Sequence, residues 1–202
     1  MIFKDLNNLT PQILQARENR WICLQQRPVI AWLTGLSGSG KSSLANAADQ
    51  ALTTLGRHTM VLDGDNIRSG LNQDLGFSAA DRDENVRRTA EAAVLMAEAG
   101  LIVLVALISP LRAERANARR IAKDIPFLDV FVSTPLSVCE TRDPKGLYRR
   151  ARAGQISYFT GVSAPYEPPD NPDLVLATEN RSITESAYPL VAGLTLLSAW
   201  PG

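Results

Sequence analysis

Apolar and polar residues alternate along this chain at two spacings. Val29, Ile30, Ala31, Trp32 and Leu33 form an unbroken apolar run, the pattern of a strand buried on both faces. Residues 42–55 then carry Leu44, Ala48, Ala51, Leu52 and Leu55 at helical spacing, with Gly56 as a stop. Thr59, Met60, Val61 and Leu62 read as a second strand. Residues 84–99 place Val86, Ala90, Ala93, Val94 and Ala97 on one helical face, closed by Gly100. Residues 101–108 are continuously apolar and rich in β-branched side chains, as a central parallel strand requires, and Ser109-Pro110 ends the run. A charged surface helix follows over 112–123, a strand over 127–132, and a short helix over 135–141 that opens on Pro135.

The segments between these are less regular. Residues 66–83 are polar and contain Gly70 and Gly76, so they read as irregular. Four prolines between 163 and 173 mark a loop. Leu174, Val175 and Leu176 are a last strand, and Ser182 with Glu185 forms a capping box before a final helix, in which Pro189 fits poorly. Residues 1–28 read as a helical lead-in: Thr10-Pro11 is a helix start, and Ile13, Leu14 and Arg17 continue an amphipathic pattern. Strands alternate with helices throughout, which predicts an α/β fold with a parallel sheet covered on both faces. Ligands on such sheets bind beyond the carboxyl ends of the strands.

Composition narrows the partners. The 202 residues suit one domain, with 29–202 as its body. A formal net charge of zero gives no overall field to draw nucleic acid or an acidic membrane, so neither is an expected partner. The longest apolar run is too short to span a bilayer and no signal peptide is recognised, which predicts a cytoplasmic protein. Cys23 and Cys139 are too few and too far apart for a disulfide framework or a metal knuckle. His58 is the only histidine, and it reads as solvated.

Between the first strand and its helix stands Gly35-Leu36-Ser37-Gly38-Ser39-Gly40-Lys41-Ser42, which matches G-x-x-x-x-G-K-[ST]. The strand before it and the helix after it are the context of a phosphate-binding loop. Its glycines let successive N–H groups turn inward, and the helix N-terminus adds unpaired donors and partial positive charge. Lys41 is placed to reach the β- and γ-phosphates of ATP, and the Ser42 hydroxyl to ligate Mg²⁺.

The strand over 101–108 ends in Ser109 and not in the metal-associated Asp of many P-loop NTPases. Acids follow the second strand instead, as Asp63 and Asp65. In extended chain this spacing points both carboxylates to one side. They can orient Mg²⁺ or accept a proton from an attacking hydroxyl. Arg68, Arg82, Arg87 and Arg88 suggest a basic cluster for a second anionic ligand, against the alternative of a solvated face. Residues 142–161, with several cations, Gly146 and Gly154, read as a lid that closes over phosphates. Phe77 and Phe159 look exposed and suited to stacking on a base, with core packing as the plainer alternative. The residues themselves thus reach a P-loop phosphotransferase with a small anionic acceptor, and leave the acceptor open.

The loop, Leu62-Asp63-Gly64-Asp65-Asn66-Ile67-Arg68-Ser69-Gly70-Leu71-Asn72, Asp74-Leu75-Gly76-Phe77, Ile108-Ser109-Pro110, Arg142-Asp143-Pro144-Lys145-Gly146-Leu147-Tyr148 and Phe159-Thr160-Gly161 together resemble adenylylsulfate kinases. The resemblance runs from about 29 to 190 and implies a three-layer P-loop NTPase/kinase fold. It implies phosphoryl transfer from ATP, with Mg²⁺, to the 3′-hydroxyl of adenosine 5′-phosphosulfate (APS), giving 3′-phosphoadenosine 5′-phosphosulfate. ATP would rest on Gly35, Ser37, Gly38, Ser39, Gly40, Lys41, Ser42 and Ser43. Ser42, Asp63 and Asp65 would hold the metal, and Asp65, Asp63, Lys41 and Ser109 would form the catalytic set. APS would meet Asp65, Asn66, Ile67, Arg68, Arg82, Asn85, Ile108, Ser109 and Lys145, with Phe77 and Phe159 around its adenine.

The family pattern attaches a phosphoserine to Ser109. Direct transfer needs no covalent step and no histidine base is apparent, so Ser109 reads as a binding residue. The resemblance also implies a homodimer and a functional pairing with ATP sulfurylase. Three departures stand out: Ser43 where Thr is usual, Leu111 for an aromatic, and Ser163-Ala164 for Asp-Ser. The last predicts a looser lid.

Overall fold

A computed structural model describes residues 15–201. The expected helix start at Thr10-Pro11 lies outside the described residues. The elements are α1 (Arg17–Leu24), β1 (Val29–Thr34), α2 (Lys41–Thr54), β2 (Thr59–Asp63), α3 (Gly64–Ser69), α4 (Ala79–Glu98), β3 (Ile102–Ala106), α5 (Arg112–Ala122), β4 (Phe127–Val132), α6 (Leu136–Arg142), α7 (Leu147–Arg152), β5 (Leu174–Leu176) and α8 (Ile183–Leu197).

The five strands form one sheet in the order β2-β3-β1-β4-β5, with every pair parallel. All six residues of β1 are buried. Their period-two alternation divides the interior in two. Val29, Ala31 and Leu33 pack with Leu44, Ala48 and Leu52 of α2 and Leu190 and Leu194 of α8. Ile30 and Trp32 pack on the opposite face with Val86, Ala90, Ala93 and Ala97 of α4 and Ala118 and Ala122 of α5. This is the expected three-layer arrangement, and its physical cause is that β1 and β3 have no polar face to give to water. No helix among the described residues is long and apolar enough to cross a membrane.

The chain leaves β1 for β2 by way of α2, and β3 and β4 then pair on either side of β1. The carboxyl end of β1 is therefore where the strand order reverses, the usual position of a ligand crevice. The loop beginning at Gly35 sits there.

Two expectations need correction. Residues 66–83 are irregular only over 70–78: α3 covers Gly64–Ser69, and α4 begins at Ala79 because the Ser78 hydroxyl caps it, accepting the Asp81 N–H at 3.2 Å. The alternation of apolar residues starts only at Val86, so periodicity missed the first turn and a half. Pro189 lies inside α8, which continues through it. The burial of Ser186, Ala187, Leu190 and Leu194 outweighs one missing backbone bond. Ser182 and Glu185 do form the expected capping box.

Candidate active site

The loop curls because Gly35, Gly38 and Gly40 take φ of 156°, 73° and 103°. A Cβ on Gly35 would stand 2.7 Å from the Val132 carbonyl oxygen, so only glycine fits there. Gly40 is the residue before α2, and Lys41 is its first helical residue. The Lys41 ammonium folds back, donating to the carbonyls of Gly35 (2.9 Å) and Leu36 (2.8 Å). Burial lowers its pKa to about 8. Side chains from far along the chain hold the loop from behind. The hydroxyls of Thr134 and Thr178 both donate to the Ser39 carbonyl, at 2.8 and 2.9 Å. Arg142 donates to the Thr178 hydroxyl and carbonyl, and Tyr148 donates to the Ser37 carbonyl at 2.9 Å. These bracing contacts were not legible in the sequence, because Thr134, Thr178 and Tyr148 act on backbone more than 90 residues away and Arg142 acts on Thr178, 36 residues away.

The Ser42 hydroxyl donates to Asp63 Oδ2 at 2.6 Å. The other Asp63 oxygen accepts the Asp65 N–H at 3.0 Å and so caps α3. This corrects the expectation of two carboxylates presented by extended chain. Asp63 ends a strand while Asp65 lies in the first turn of a helix, so the two side chains have different partners. Asp65 is exposed and ion-paired with Lys145 of the lid. Asn66 is exposed beside it, whereas Ile67 turns into the core beneath α4 and does not line a pocket with its side chain.

The basic cluster divides. Arg87 and Arg88 are taken up by Glu84, with further bridges to Glu91 and Asp74, and their ion pairs hold the Glu84 carboxyl down to about 2. Arg68 and Arg82 stay on the site rim. Arg68 donates to the Gly76 carbonyl at 2.9 Å and lies over the Phe77 ring at 4.6 Å. Burial, then the neighbouring Arg82, lowers its pKa. Arg82 donates to the Phe77 and Tyr158 carbonyls and to the Thr160 hydroxyl.

Phe77 is 67% exposed, as expected, but Phe159 is only 9% exposed. It packs edge-on against Tyr148, ring centroids 5.0 Å apart. Phe159 is a member of a small core made by the lid itself, with Cys139, Tyr148 and Ala151. Phe159 is thus packed in a core rather than exposed.

Ser109 is 3% exposed and adopts φ 37°, in the left-handed region. Its hydroxyl accepts the Trp32 indole N–H at 3.0 Å. Arg115 donates to its carbonyl at 2.7 Å, and Thr34 donates to the adjoining Ile108 carbonyl at 2.7 Å. Ile108 is half-buried beside it. Asn85 is buried, and its side-chain oxygen accepts from Asn72 at 3.0 Å. Ser43 is exposed on α2.

The lid contains α7 between Gly146 (φ 65°) and Gly154 (φ 72°). The Asp143 carboxylate caps α7 by accepting the N–H groups of Tyr148 and Arg149, at 3.0 and 3.1 Å. The departure at Ser163 does not leave the lid's end untied. The Ser163 hydroxyl accepts the Phe159 N–H at 2.9 Å, and three backbone bonds close the same turn. Downstream, the Tyr166 hydroxyl meets Thr34 at 3.0 Å, so the stretch after the lid docks against the end of β1.

Sheet order, cradle and capped acid together define a protein of the P-loop kinase class. The adenylylsulphate kinase family profile matches residues 27–177. An adenylyl-sulfate kinase from Shewanella denitrificans is 54% identical over 85% of this chain and 84% of its own length. The bifunctional enzyme NodQ of Azospirillum brasilense is 62% identical over 76% of this chain. The match covers 25% of NodQ's length, so the chain spans about a quarter of that relative. The solved APS kinase CysC of Mycobacterium tuberculosis, in complex with AMPPNP and APS, superposes with a TM-score of 0.80 at 54% identity, over 82% of this chain and 96% of that one. This chain belongs to the adenylylsulphate kinase family.

Proposed function

We propose that this protein transfers the γ-phosphate of ATP to the 3′-hydroxyl of APS. The observation that carries the reading is the position of Asp65. It follows directly on the Ser42–Asp63 contact at the cradle's edge, and it is held by the lid lysine of the expected acceptor pocket. A carboxylate between a triphosphate cradle and a second anion-binding surface is what transfer to a hydroxyl requires.

In this reading the loop N–H groups and Lys41 hold the β- and γ-phosphates. Phosphate oxygens replace the Gly35 and Leu36 carbonyls as partners of the ammonium. Ser42, Asp63 and Asp65 would hold Mg²⁺. Hard oxygen donors with only one or two carboxylates suit that ion, which takes its remaining ligands from phosphate and water. When bound, it neutralises charge on the transferring phosphate. Asp65 accepts the proton of the attacking hydroxyl after Lys145 moves from it to the sulfate or phosphate of APS. Arg68 and Arg82 exchange their carbonyl partners for the same anion, and Asn85 and Ser109 add neutral donors. Movement of Arg68 uncovers Phe77 for stacking on adenine. Lid closure excludes water, which would otherwise take the phosphoryl group.

A coupled assay of ADP release, with and without APS, tests this. APS-dependent release is expected; release that depends only on some other hydroxyl compound would sink it. A homodimer and a pairing with ATP sulfurylase belong to the same reading, and sedimentation with and without the sulfurylase tests both.

A further inference from the structure

The two neutral donors of the acceptor pocket are each met from behind by a buried N–H group that gives a hydrogen bond. The indole N–H of Trp32 has no acceptor function. Trp32 is fully buried, and it donates to Ser109 Oγ at 3.0 Å. One lone pair of Ser109 is therefore occupied, and its own proton is left to point elsewhere. Asn72, also fully buried, directs Nδ2 at two oxygens of Asn85: Oδ1 at 3.0 Å and the backbone carbonyl at 3.4 Å. The Asn85 backbone carbonyl can only accept, so it draws the nitrogen end of the Asn72 amide to that side, and the Asn72 oxygen is left buried without a partner among the described residues. That in turn settles Asn85. Its oxygen faces inward, and its NH₂ has no partner among the described residues.

We propose that Trp32 and Asn72 are positioning residues that turn the Ser109 hydroxyl proton and the Asn85 NH₂ toward an anionic acceptor. The inference rests on the reading of APS as acceptor. Free hydroxyls and amides rotate to accept as readily as to donate. Oriented ones meet an anion without reorganising, and they favour it over a ligand that must donate. The same contact disfavours Ser109 as a nucleophile, because the indole draws density from its oxygen.

Two double-mutant cycles test this: Trp32→Phe with Ser109→Ala, and Asn72→Leu with Asn85→Ala. Trp32→Phe and Asn72→Leu are each expected to raise KM for APS about three- to tenfold, the loss of one hydrogen bond, with KM for ATP unchanged. The increase should vanish when the outer donor is already absent. A structural role would lower kcat or stability and would add across the cycle, which would overturn the proposal. If Asn72→Leu does not fold, Asn72→Ser removes the same amide fork. An independent readout is the Trp32 indole N–H resonance, assigned by its absence in Trp32→Phe. It should shift in Ser109→Ala without any substrate present; an unmoved signal overturns the Trp32 assignment. If wild-type protein shows no turnover with APS, the acceptor reading fails, while the resonance test still reports on the Trp32–Ser109 contact itself.

Discussion

The phosphate cradle and the acceptor pocket share one rim but are built in opposite ways. The cradle is eight consecutive residues whose shape is set by three glycines and braced from behind by Thr134, Thr178, Arg142 and Tyr148. Its donors are backbone, and of its side chains only Lys41 must change partners when phosphate arrives. The proposed acceptor pocket gathers Asp65 and Arg68 from α3, Arg82 and Asn85 from α4, and Ser109 and Lys145 from loops further along the chain. Its charged members are already engaged: Asp65 with Lys145, Arg68 with Gly76 and Phe77, Arg82 with Phe77, Tyr158 and Thr160. On the proposed reading, the difference teaches that ATP would meet a preset site, while the second substrate would have to exchange internal contacts first.

The sharpest way to break that contrast is at the acid between the two regions. Asp65→Ala should lower turnover by about 10²–10⁴-fold, the range for a lost general base, with ATP affinity nearly unchanged by calorimetry. A parallel loss of ATP binding would place Asp65 within the cradle instead. Gly35→Ala should abolish measurable ATP binding, because its Cβ would lie 2.7 Å from the Val132 carbonyl. If ATP still binds normally, the cradle is not preset. Arg82→Ala should raise KM for APS by about tenfold or more, the loss of charge-assisted hydrogen bonds, leaving KM for ATP unmoved.

A pH experiment separates the two regions more finely. Lys41 titrates near 8 in the folded protein, against an ordinary value of 10.5. Between those values the unfolded chain holds the proton and the folded chain does not. This group therefore makes stability rise with pH across that window. Phosphate binding restores the charge, so ATP should flatten the rise and bring proton uptake at pH 8 to 9, seen as buffer-dependent binding heat. No uptake would mean that the ammonium stays charged in the empty cradle. Smallest of all, Tyr148→Phe should weaken ATP binding about two- to tenfold through the lost bond to Ser37; an effect on KM for APS alone would reassign the tyrosine to the acceptor side.

Much of this molecule was decided by residues close together in the chain. The all-apolar Val29–Thr34, the glycines, Lys41 and Ser42 of the loop, and the Ser182–Glu185 box each carry their structure in local spacing, because strand burial, backbone curvature and capping are short-range physics. The motif around Asp63 also pointed to the edge of the loop, where the Ser42–Asp63 contact puts it. Tertiary structure alone decided which charges remain available and which rings are open. Arg68 and Arg88 look equivalent on paper, yet Asp74 and Glu84 claim the second and leave the first on the rim. Phe77 and Phe159 look equivalent too, until Tyr148 covers one of them. The hydrogen bonds of Trp32 and Asn72, and of the braces Thr134 and Thr178, had no local signature. Their partners lie 77, 13, 95 and 139 residues away, and a hydrogen bond over such a separation exists only once packing has brought its two ends together.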